Sequence, residues 1–504
     1  MHKSCVLAGV ICAVMFSSLL FASFACADSP TVGSDASDNG VETSNPALSP
    51  TELWNFTAAN ITAHTISLDW GSPVVANGIA YLRNTETYII PDEPHIYLFD
   101  IPVQHMLGTI YALNASSGAK LWNLTASGSL RSLAIIDGVV YMSASDSRFT
   151  DGQSAGGNFY ALGAVTGAQK WVYNIDGDIW WSSIVDGVIY VFVQGSGFNS
   201  YICAVKAANG EELWKWKADY YTSLSLPAVG DGAIYFGTYN YYYAVSSRNG
   251  TLLWYVAIDG SVSGSSTLVD GIVYFSSDTT TYALNAQNGD KLWSCTPGFA
   301  VSSCIVDGGI VYVSGDYHNV YAFDASNGKK VWNYSANEMT FSSLSLIDNV
   351  IYFSSNGTLS ALNAANGMQL WSYNTDGNGP FTINDVSLSY YGYSTDATIN
   401  DGVLYYYSGK TLYALDTSNG SSLWNYTTAS NRSFLTVANN TAFFAAFNTV
   451  YALSVPAVVH PSSSSTAVPS GAIAATVTIA TVAVIVAVII VGIGLLVYFR
   501  KRNN

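Results

Sequence analysis

The segment Tyr282-Ala-Leu-Asn-Ala-Gln-Asn-Gly-Asp-Lys-Leu-Trp293 decides the fold, because close copies of it recur along the chain. Two of these copies are Tyr111-Ala-Leu-Asn-Ala-Ser-Ser-Gly-Ala-Lys-Leu-Trp122 and Tyr413-Ala-Leu-Asp-Thr-Ser-Asn-Gly-Ser-Ser-Leu-Trp424. Successive tryptophans of the repeat, from Trp122 to Trp424, are 49, 43, 40, 39, 39, 39 and 53 residues apart. A unit of nearly constant length with occasional insertions indicates a repeat architecture.

Each unit has a second landmark, an Asp-Gly-like turn between two alternating apolar runs, as in Ile184-Val-Asp-Gly-Val-Ile-Tyr190. Such a turn is typical of a β-hairpin. One unit therefore contains strand A, an Asp-Gly turn, strand B, a variable loop, strand C, an Asn-Gly-like turn and strand D with the tryptophan. Four antiparallel strands per unit predict the blade of an all-β propeller. The 35 tyrosines, 43 glycines and 10% charged residues agree with an all-β chain.

The two ends of the repeat region predict how the ring closes. The last unit stops at Tyr451-Ala-Leu-Ser-Val-Pro456 without a strand D, and Thr51-Glu-Leu-Trp54-Asn-Phe56 is a strand D without a preceding unit. Pairing the two would complete one blade and remove the exposed edges of an open array. Counting strand C segments predicts nine blades; an eight-bladed ring with one irregular unit is the alternative.

The recurring glycines and tryptophans of the repeat receive structural roles. The glycine after strand C allows the positive φ of the turn, and the tryptophan buries its ring against a neighbouring blade. The predicted docking residues are Gly118, Trp122, Trp171, Trp214, Trp254, Gly289, Trp293, Gly328, Trp332, Gly367, Trp371, Gly420 and Trp424.

The two termini resemble targeting segments. Residues 1–27 have the basic, apolar and small-residue order of a signal peptide, and a lipid-bearing Cys26 is the alternative. A flexible segment, 28–49, precedes the propeller, 50–455, and a Pro/Ser-rich stalk, 456–470, follows it. Residues 471–499 predict a transmembrane helix, and the basic tail, 500–504, is placed in the cytoplasm by the positive-inside rule. We therefore expect a single-pass cell-membrane protein with an extracellular propeller.

Cysteine and sequon patterns are compatible with export. Cys203, Cys295 and Cys304 remain after removal of the signal, and Cys295 and Cys304 either pair or are two isolated thiols. A glycoprotein is permitted by eleven Asn-x-Ser/Thr sequons. They are Asn55, Asn60, Asn114, Asn123, Asn249, Asn333, Asn356, Asn419, Asn425, Asn431 and Asn439.

The segment Ala-x-Asp/Asn-x-x-Ser/Asn-Gly-x-x-x-Trp resembles the tryptophan-docking motif of pyrroloquinoline quinone (PQQ) type propellers. Ala322, Asp324, Asn327, Gly328 and Trp332 show the motif in full. The resemblance implies either a quinoprotein alcohol dehydrogenase or a scaffold propeller similar to the bacterial outer-membrane assembly lipoprotein. It also implies PQQ and calcium as the cofactors of the first alternative, for which the adjacent Cys-Cys pair and a recognisable calcium ligand set are missing. We therefore predict no cofactor and no catalytic or metal residues.

Three long insertions, Asn84 to Gly108, Ser145 to Asn158 and Thr375 to Asp396, all belong to B/C or D/A loops. These loops share one face of the disc, here called the loop face; the A/B and C/D turns form the opposite turn face. Because function usually resides in loops on a rigid scaffold, the loop face is the expected binding surface. Neutral insertion at tolerant sites and plugging of the central channel are the alternatives. The candidate binding residues are Trp70, Arg131, Trp180, Trp181, Tyr221, Phe341 and Arg432.

The predicted function is a non-catalytic scaffold that holds a protein or a glycan; a PQQ-dependent dehydrogenase with a substituted metal site is the alternative. A net charge of −16 repels phosphates, so nucleic acid is not an expected partner. Asp92, Glu93, His95, Asp100 and His105 in the first insertion do not have the spacing of a metal site.

Overall fold

The computed structural model describes most of the chain between Pro50 and Pro456. The described ranges are 50–58, 65–89, 104–145, 149–150, 153–154, 156–194, 200–218, 225–262, 264–298, 304–315, 319–336, 344–355, 358–374, 397–408, 410–427, 435–446 and 448–456. Within these ranges, no helix has the length and hydropathy that crossing a bilayer requires. The predicted signal peptide, N-terminal segment, transmembrane helix and tail lie outside the described residues, as does the stalk after Pro456.

The described residues contain thirty-nine β-strands, which form nine antiparallel blades and one two-stranded hairpin; eight blades have four strands, and blade 1 has five because its strand A is in two parts. Blade 1 contains β2 (Thr65–Trp70), β3 (Val74–Ala76), β4 (Ile79–Ile89), β5 (Gln104–Asn114) and β6 (Lys120–Ser127). Both β2 and β3 pair with β4, so strand A of this blade is in two parts. Blade 2 contains β7 (Ser129–Ile136), β8 (Val139–Ser145), β11 (Gly157–Gly163) and β12 (Gln169–Ile175), with the small hairpin β9 (Phe149–Thr150) and β10 (Gln153–Ser154) between β8 and β11.

The next four blades have one strand each for A, B, C and D. Blade 3 contains β13 (Asp178–Val185), β14 (Val188–Gln194), β15 (Ser200–Lys206) and β16 (Glu212–Lys217). Blade 4 contains β17 (Ala228–Gly230), β18 (Ala233–Gly237), β19 (Tyr241–Ser246) and β20 (Leu252–Ala257). Blade 5 contains β21 (Thr267–Val269), β22 (Ile272–Ser276), β23 (Thr281–Asn285) and β24 (Lys291–Cys295). Blade 6 contains β25 (Ile305–Asp307), β26 (Ile310–Gly315), β27 (Asn319–Asp324) and β28 (Lys330–Ser335).

The last three blades complete the ring. Blade 7 contains β29 (Ser345–Ile347), β30 (Val350–Ser355), β31 (Thr358–Asn363) and β32 (Gln369–Asn374). Blade 8 contains β33 (Ala397–Asn400), β34 (Val403–Ser408), β35 (Thr411–Asp416) and β36 (Ser422–Thr427). Blade 9 contains β37 (Leu435–Ala438), β38 (Thr441–Ala446), β39 (Thr449–Ser454) and, from the other end of the chain, β1 (Thr51–Thr57).

Blade 9 joins the two ends of the propeller. Strand β1 pairs antiparallel with β39, with Thr51 opposite Ser454 and Thr57 opposite Thr449. Strands A of successive blades lie beside one another, which places them at the inside of the ring, and strands D form the outer rim. The prediction of nine blades closed by two half-blades is confirmed, and the eight-bladed alternative is not what the structure shows.

The Asp-Gly turns between strands A and B explain why this dipeptide recurs. Asp137 has φ 49° and Gly138 has φ 73°, and Asp270 and Gly271 have φ 49° and 72°. Two successive positive φ angles define the type I′ hairpin turn, which suits the twist of antiparallel strands. Asp and Gly tolerate this conformation better than other residues, so the dipeptide is set by backbone geometry.

Neighbouring blades are joined by the strand D tryptophan. In blade 5, Trp293 Nε1 donates a hydrogen bond of 2.7 Å to the carbonyl of Ala325 in blade 6. A tyrosine of strand B, Tyr274, donates to the same carbonyl at 3.3 Å, and the two rings lie 5.9 Å apart. The tryptophan bond recurs at seven other interfaces: Trp54–Ala115, Trp122–Ala164, Trp171–Ala207, Trp214–Ser247, Trp254–Ala286, Trp332–Ala364 and Trp371–Thr417.

A tyrosine of strand B takes part in the same contact between blades, and this role was not predicted from the sequence. It occupies the third position after the A/B turn in blades 1 to 8, whereas blade 9 has Phe443 there. Tyr81, Tyr141, Tyr190, Tyr274 and Tyr312 each donate to the carbonyl that accepts the bond from the tryptophan of their own blade. The repeated Gly-x-x-Tyr spacing was the available signal.

The turn glycine lies directly under the docked ring. A Cβ atom at Gly289 would lie 2.7 Å from Cε3 of Trp254, and Gly289 has φ +76°. Both the close approach and the left-handed backbone therefore require glycine at this position.

The interface between blades 8 and 9 differs from the other eight. Trp424 is 5% exposed, and its buried Nε1 has no hydrogen-bond partner among the described residues. Blade 9 has no C/D turn, because its strand D is supplied by β1 and the chain continues from β39 into Val455 and Pro456. The turn on which the other tryptophans rest is therefore missing at this interface.

Candidate binding face

The first insertion extends a sheet on the loop face. Strands β4 and β5 have 11 residues each, and their ladder continues as far as Ile89 opposite Gln104. The prediction of a loop from Asn84 to Gly108 is therefore wrong at both ends, because Thr85, Thr87 and Tyr88 have high strand propensity and prolong the pairing. His105 stacks on Tyr88 with 5.4 Å between ring centroids. Residues 90–103, which include Asp92, Glu93, His95 and Asp100, lie outside the described residues.

The second insertion, in blade 2, contains a two-stranded hairpin in which Gln153 pairs with Thr150 and Ser154 with Phe149. The third insertion, Thr375 to Asp396, lies outside the described residues. The two insertions that are described thus belong to neighbouring blades, 1 and 2.

Arg131 forms an ion pair at the loop face between blades 2 and 3. Its Nη2 donates to Oδ2 of Asp178 at 3.3 Å. The other oxygen of Asp178 accepts a hydrogen bond of 2.5 Å from Ser145 Oγ, and the Asp178 residue is only 4% exposed. Ion pairing and hydrogen bonding compensate for the cost of burying the carboxylate. The guanidinium is thereby fixed to the start of the neighbouring strand A.

Trp180 follows Asp178 by two residues on β13, and its side chain is exposed to solvent. It is 45% exposed, and it lies in a β-bulge of β13 between Ile179 and Trp181. Arg131 lies in a bulge of β7, between Leu130 and Leu133. A bulge re-aims the side chain of its extra residue, so both residues leave the regular in-and-out alternation of their strands. Trp181 is half-buried and contacts Phe192 edge to face at 5.5 Å.

Trp70 is not on an exposed face, and its inclusion among the binding residues is corrected. It is 7% exposed and belongs to the core cluster between blades 9 and 1, where its ring lies 6.2 Å from that of Tyr111. Its position at the end of β2, inside a paired strand, explains the burial. Tyr221, Phe341 and Arg432 lie outside the described residues.

An aromatic patch on blade 4, here called the tyrosine patch, was not predicted. Tyr239 is 65% exposed, Tyr255 57% and Tyr241 42%. The rings of Tyr241, Tyr243 and Tyr255 lie 5.9 to 6.2 Å from one another, and Tyr243 also contacts Trp216 of blade 3 at 5.7 Å. The patch begins in the B/C loop, at the loop face. The run Tyr239-Asn-Tyr-Tyr-Tyr243 was the signal in the sequence.

The acidic, histidine and cysteine side chains of the described residues are dispersed. They contain no group of three or more His, Cys, Asp or Glu side chains placed to hold a metal ion. No adjacent cysteines occur in the sequence. Asp178 is held by one arginine and one serine, and it faces no second carboxylate in the contacts described above.

The three cysteines within the described residues are free thiols, with Cys203 and Cys304 buried and Cys295 half-buried. Burial raises the pKa of Cys203 to about 11 and the pKa of Cys304 to about 12. A raised pKa keeps a thiol protonated at neutral pH and lowers its nucleophilicity. These cysteines are core residues of the blades.

Comparison with solved structures finds similar propellers at low identity. The structure of BamB from Moraxella catarrhalis is 16% identical, covers 64% of this chain and 96% of its own, and has a TM-score of 0.47. The computationally designed Ika8 protein is 14% identical, with 65% and 96% covered and a TM-score of 0.49. The quinohemoprotein alcohol dehydrogenase ADHIIG from Pseudomonas putida HK5 is 13% identical, with 82% and 77% covered and a TM-score of 0.43. All three scores are below 0.5, so these likenesses carry no conclusion about function.

No curated protein sequence matches the chain. One family model does match, over residues 43–179, 198–303 and 295–481, which together exceed half of the chain. Its description is outer membrane protein assembly factor BamB. With the repeated docking motif and the nine described blades, this match confirms the PQQ-like propeller assignment, and the chain belongs to the BamB family of propellers.

Proposed function

We propose that this chain is a non-catalytic binding scaffold that holds a protein partner on the loop face of blades 2 to 4. Membrane anchoring by residues 471–499, with the propeller outside the cell, belongs to the same proposal and rests on the sequence. The glycan partner considered from the sequence is the competing occupant of the same face.

The observation that supports this role most directly is the exposure of Trp180. A large aromatic ring that is 45% exposed on a bulge, two residues after a buried aspartate that pairs with an arginine, has the composition of a binding hot spot. A strongly exposed tryptophan is uncommon because burying its large apolar ring is energetically favourable. A bound partner can bury the ring.

The tyrosine patch enlarges the same face. Tyr239 and Tyr241 lie at the loop-face end of blade 4, next to the blade that presents Trp180. Tyrosine and tryptophan are enriched in protein interfaces because each buries a large area while fixing few torsions. The family description, an assembly factor, supports a protein as the partner.

Site-specific photo-crosslinking in native membranes tests the proposal. A photoreactive amino acid replaces Trp180 in one variant and Tyr239 in a second. Val165, which is 70% exposed in the C/D turn of blade 2 on the turn face, is replaced in the control variant. We expect a protease-sensitive adduct of the same discrete mass from positions 180 and 239, and no such adduct from position 165.

Equal crosslinking from all three positions, or from none, would contradict a binding surface on the loop face. An adduct that resists proteases but is cleaved by periodate would assign the face to a glycan instead.

A further inference from the structure

Four of the eleven sequons occupy one equivalent position in the repeat. Asn55, Asn123, Asn333 and Asn425, here called the rim asparagines, each follow the docking tryptophan of strand D directly. They belong to blades 9, 1, 6 and 8. Strand D is the outer edge of each blade, and all four asparagines are exposed there.

Every rim asparagine lies opposite a tyrosine of strand C. The cross-strand pairs are Asn55–Tyr451, Asn123–Tyr111, Asn333–Tyr321 and Asn425–Tyr413. Directly opposite residues of an antiparallel pair present their side chains on the same face of the sheet. Tyr321, Tyr413 and Tyr451 are partly exposed, so a sugar on the asparagine opposite would have an aromatic ring beside its apolar surface. Tyr111, opposite Asn123, is 7% exposed and packs against Phe56 and Trp70 instead.

The turn sequons have a structural explanation that the rim asparagines lack. Oδ1 of Asn114 accepts hydrogen bonds from the backbone N–H of Ser116 and Ser117, at 3.0 and 3.1 Å. Asn249 and Asn419 accept in the same way from Thr251 and Ser421, and Asn439 lies in the A/B turn of blade 9 with φ 51°. Such side-chain bonds close the turn and are a common reason for asparagine there.

The rim asparagines do not hold a turn together. Asn55 Nδ2 donates to Glu52 at 2.8 Å, and within the described ranges the side chains of Asn123, Asn333 and Asn425 make no hydrogen bond. All four side chains are exposed on an edge strand, and no hydrogen bond within the described ranges gives them a role in closing a turn. Asn60, Asn356 and Asn431 lie outside the described residues.

The equivalent position in the other blades divides the ring into two arcs. Blades 2 to 5 have Val172, Lys215, Tyr255 and Ser294 there, and blade 7 has Ser372; all five are exposed and none lies within a sequon. The rim asparagines are thus confined to the arc from blade 6 to blade 1, within which blade 7 is the one blade that has none. The opposite arc contains Trp180 and the tyrosine patch.

We propose that the rim asparagines are N-glycosylation sites, and that the attached glycans cover the outer edge of blades 6, 8, 9 and 1 while blades 2 to 5 stay bare. A lipid-linked sugar phosphate or pyrophosphate is the donor class. The Asn Nδ2–C1 bond forms as the C1–O bond to the phosphate breaks, the phosphate leaves with the electron pair, and Nδ2 loses one proton to a base. Glycans at these positions also block the unpaired edges of strands D from pairing with other chains.

Intact mass spectrometry of the full chain from its native cells tests the proposal. Asn→Gln variants at positions 55, 123, 333 and 425 should each lower the mass by one glycan, and the quadruple variant by four. Thr125→Ser keeps a sequon and should keep its glycan.

A gain-of-site variant tests the position itself. Ser294→Asn with Cys295→Leu places the Asn-Leu-Thr sequence of blade 1 at the same rim position of blade 5, opposite Tyr282. We expect this variant to gain one glycan and Cys295→Leu alone to gain none.

A wild-type mass equal to that of the polypeptide would overturn the proposal, and so would rim variants whose glycan mass equals that of the wild type because only the turn sequons are occupied. A gain-of-site variant without added mass would overturn the role of the rim position. The result is independent of the proposed binding function, because loss of the rim glycans leaves crosslinking from Trp180 unchanged, and failure of that crosslinking leaves the masses unchanged.

Discussion

Eight interfaces between blades share the same contacts of the strand D tryptophan, and the ninth, between blades 8 and 9, keeps only the buried ring. At the eight, a tryptophan rests on a turn glycine of the next blade and donates to a carbonyl there, as Trp254 does with Gly289 and Ala286. At the interface of blades 8 and 9, Trp424 is as deeply buried, but its Nε1 finds no acceptor among the described residues. The ninth interface therefore has the buried ring without the turn glycine and without an acceptor for Nε1 among the described residues, and comparing it with the other eight separates the contribution of the ring from theirs.

Alkaline pH should lower the stability of the propeller more than any single substitution, because it ionises the strand B tyrosines at eight of the nine interfaces. Burial raises the pKa of all eight strand B tyrosines, to about 12 for Tyr235 and Tyr405. Because the pKa is higher in the folded state, this stabilisation is complete below the unfolded value of about 10 and is lost as the pH rises from there through the folded value. We expect cooperative loss of near-ultraviolet circular dichroism above about pH 10, together with tyrosinate absorbance. Gradual ionisation of these tyrosines with the fold intact would contradict buried joints.

The turn glycine should show the largest effect of a single substitution. Gly289→Ala adds a Cβ 2.7 Å from the ring of Trp254 in a left-handed backbone. The clash and the backbone conformation together should cost about 2 to 5 kcal/mol in free energy of unfolding. Gly271→Ala is the matched control in the A/B turn of the same blade, where φ is +72° but no atom lies within 4 Å of the added Cβ. It should cost only about 1 to 2 kcal/mol. Denaturant titration measures both, and equal costs would show that the contact with Trp254 is unimportant.

The tryptophan hydrogen bond should show a smaller difference. Trp293→Phe removes a donor bonded to Ala325, whereas Trp424→Phe removes a donor that is already unpaired in the described structure. Both variants lose similar ring volume, so the first should destabilise by about 1 kcal/mol more than the second. A larger loss for Trp424→Phe would mean that its Nε1 is satisfied in solution.

The strand B hydroxyl should matter least. Tyr274→Phe removes a 3.3 Å bond to a carbonyl that Trp293 continues to occupy, so the acceptor is not left unpaired. We expect a loss of about 0.5 to 1 kcal/mol. Phe443→Tyr in blade 9 is the reciprocal change, and the free energy of unfolding of both variants can be compared by the same titration. A loss of unfolding free energy as large as that of Gly289→Ala would contradict this order, because the hydroxyl would then contribute as much as the contact between the glycine and the ring.

The sequence predicted what depends on the repeat. The spacing from Trp122 to Trp424 determines the number of blades, and the two incomplete units determine the closure, because both follow from the order of strands. Asp137 and Gly138 could be assigned to a hairpin because their dipeptide has a known backbone preference.

Exposure was harder to predict than fold. Trp70 and Trp180 were both assigned to the loop face from the sequence, yet one is 7% and the other 45% exposed. The bulge that turns Trp180 outward depends on the pairing register of β13 and β14, which no local pattern specifies. The tyrosine patch escaped notice for a related reason: alternate residues of Tyr241-Tyr242-Tyr243 face opposite sides, and Tyr242 is fully buried.

Closing the ring with strand β1 has a mechanical consequence. The chain leaves the propeller after β39, and β39 is paired on both sides, with β1 and with β38. A pulling force applied at Pro456 therefore acts on a strand held by two hydrogen-bonded ladders. Had the chain left from an ordinary strand D, the load would fall on a single ladder at the rim. The C-terminal exit of the propeller is therefore held more firmly against tension than an exit from an edge strand D would be.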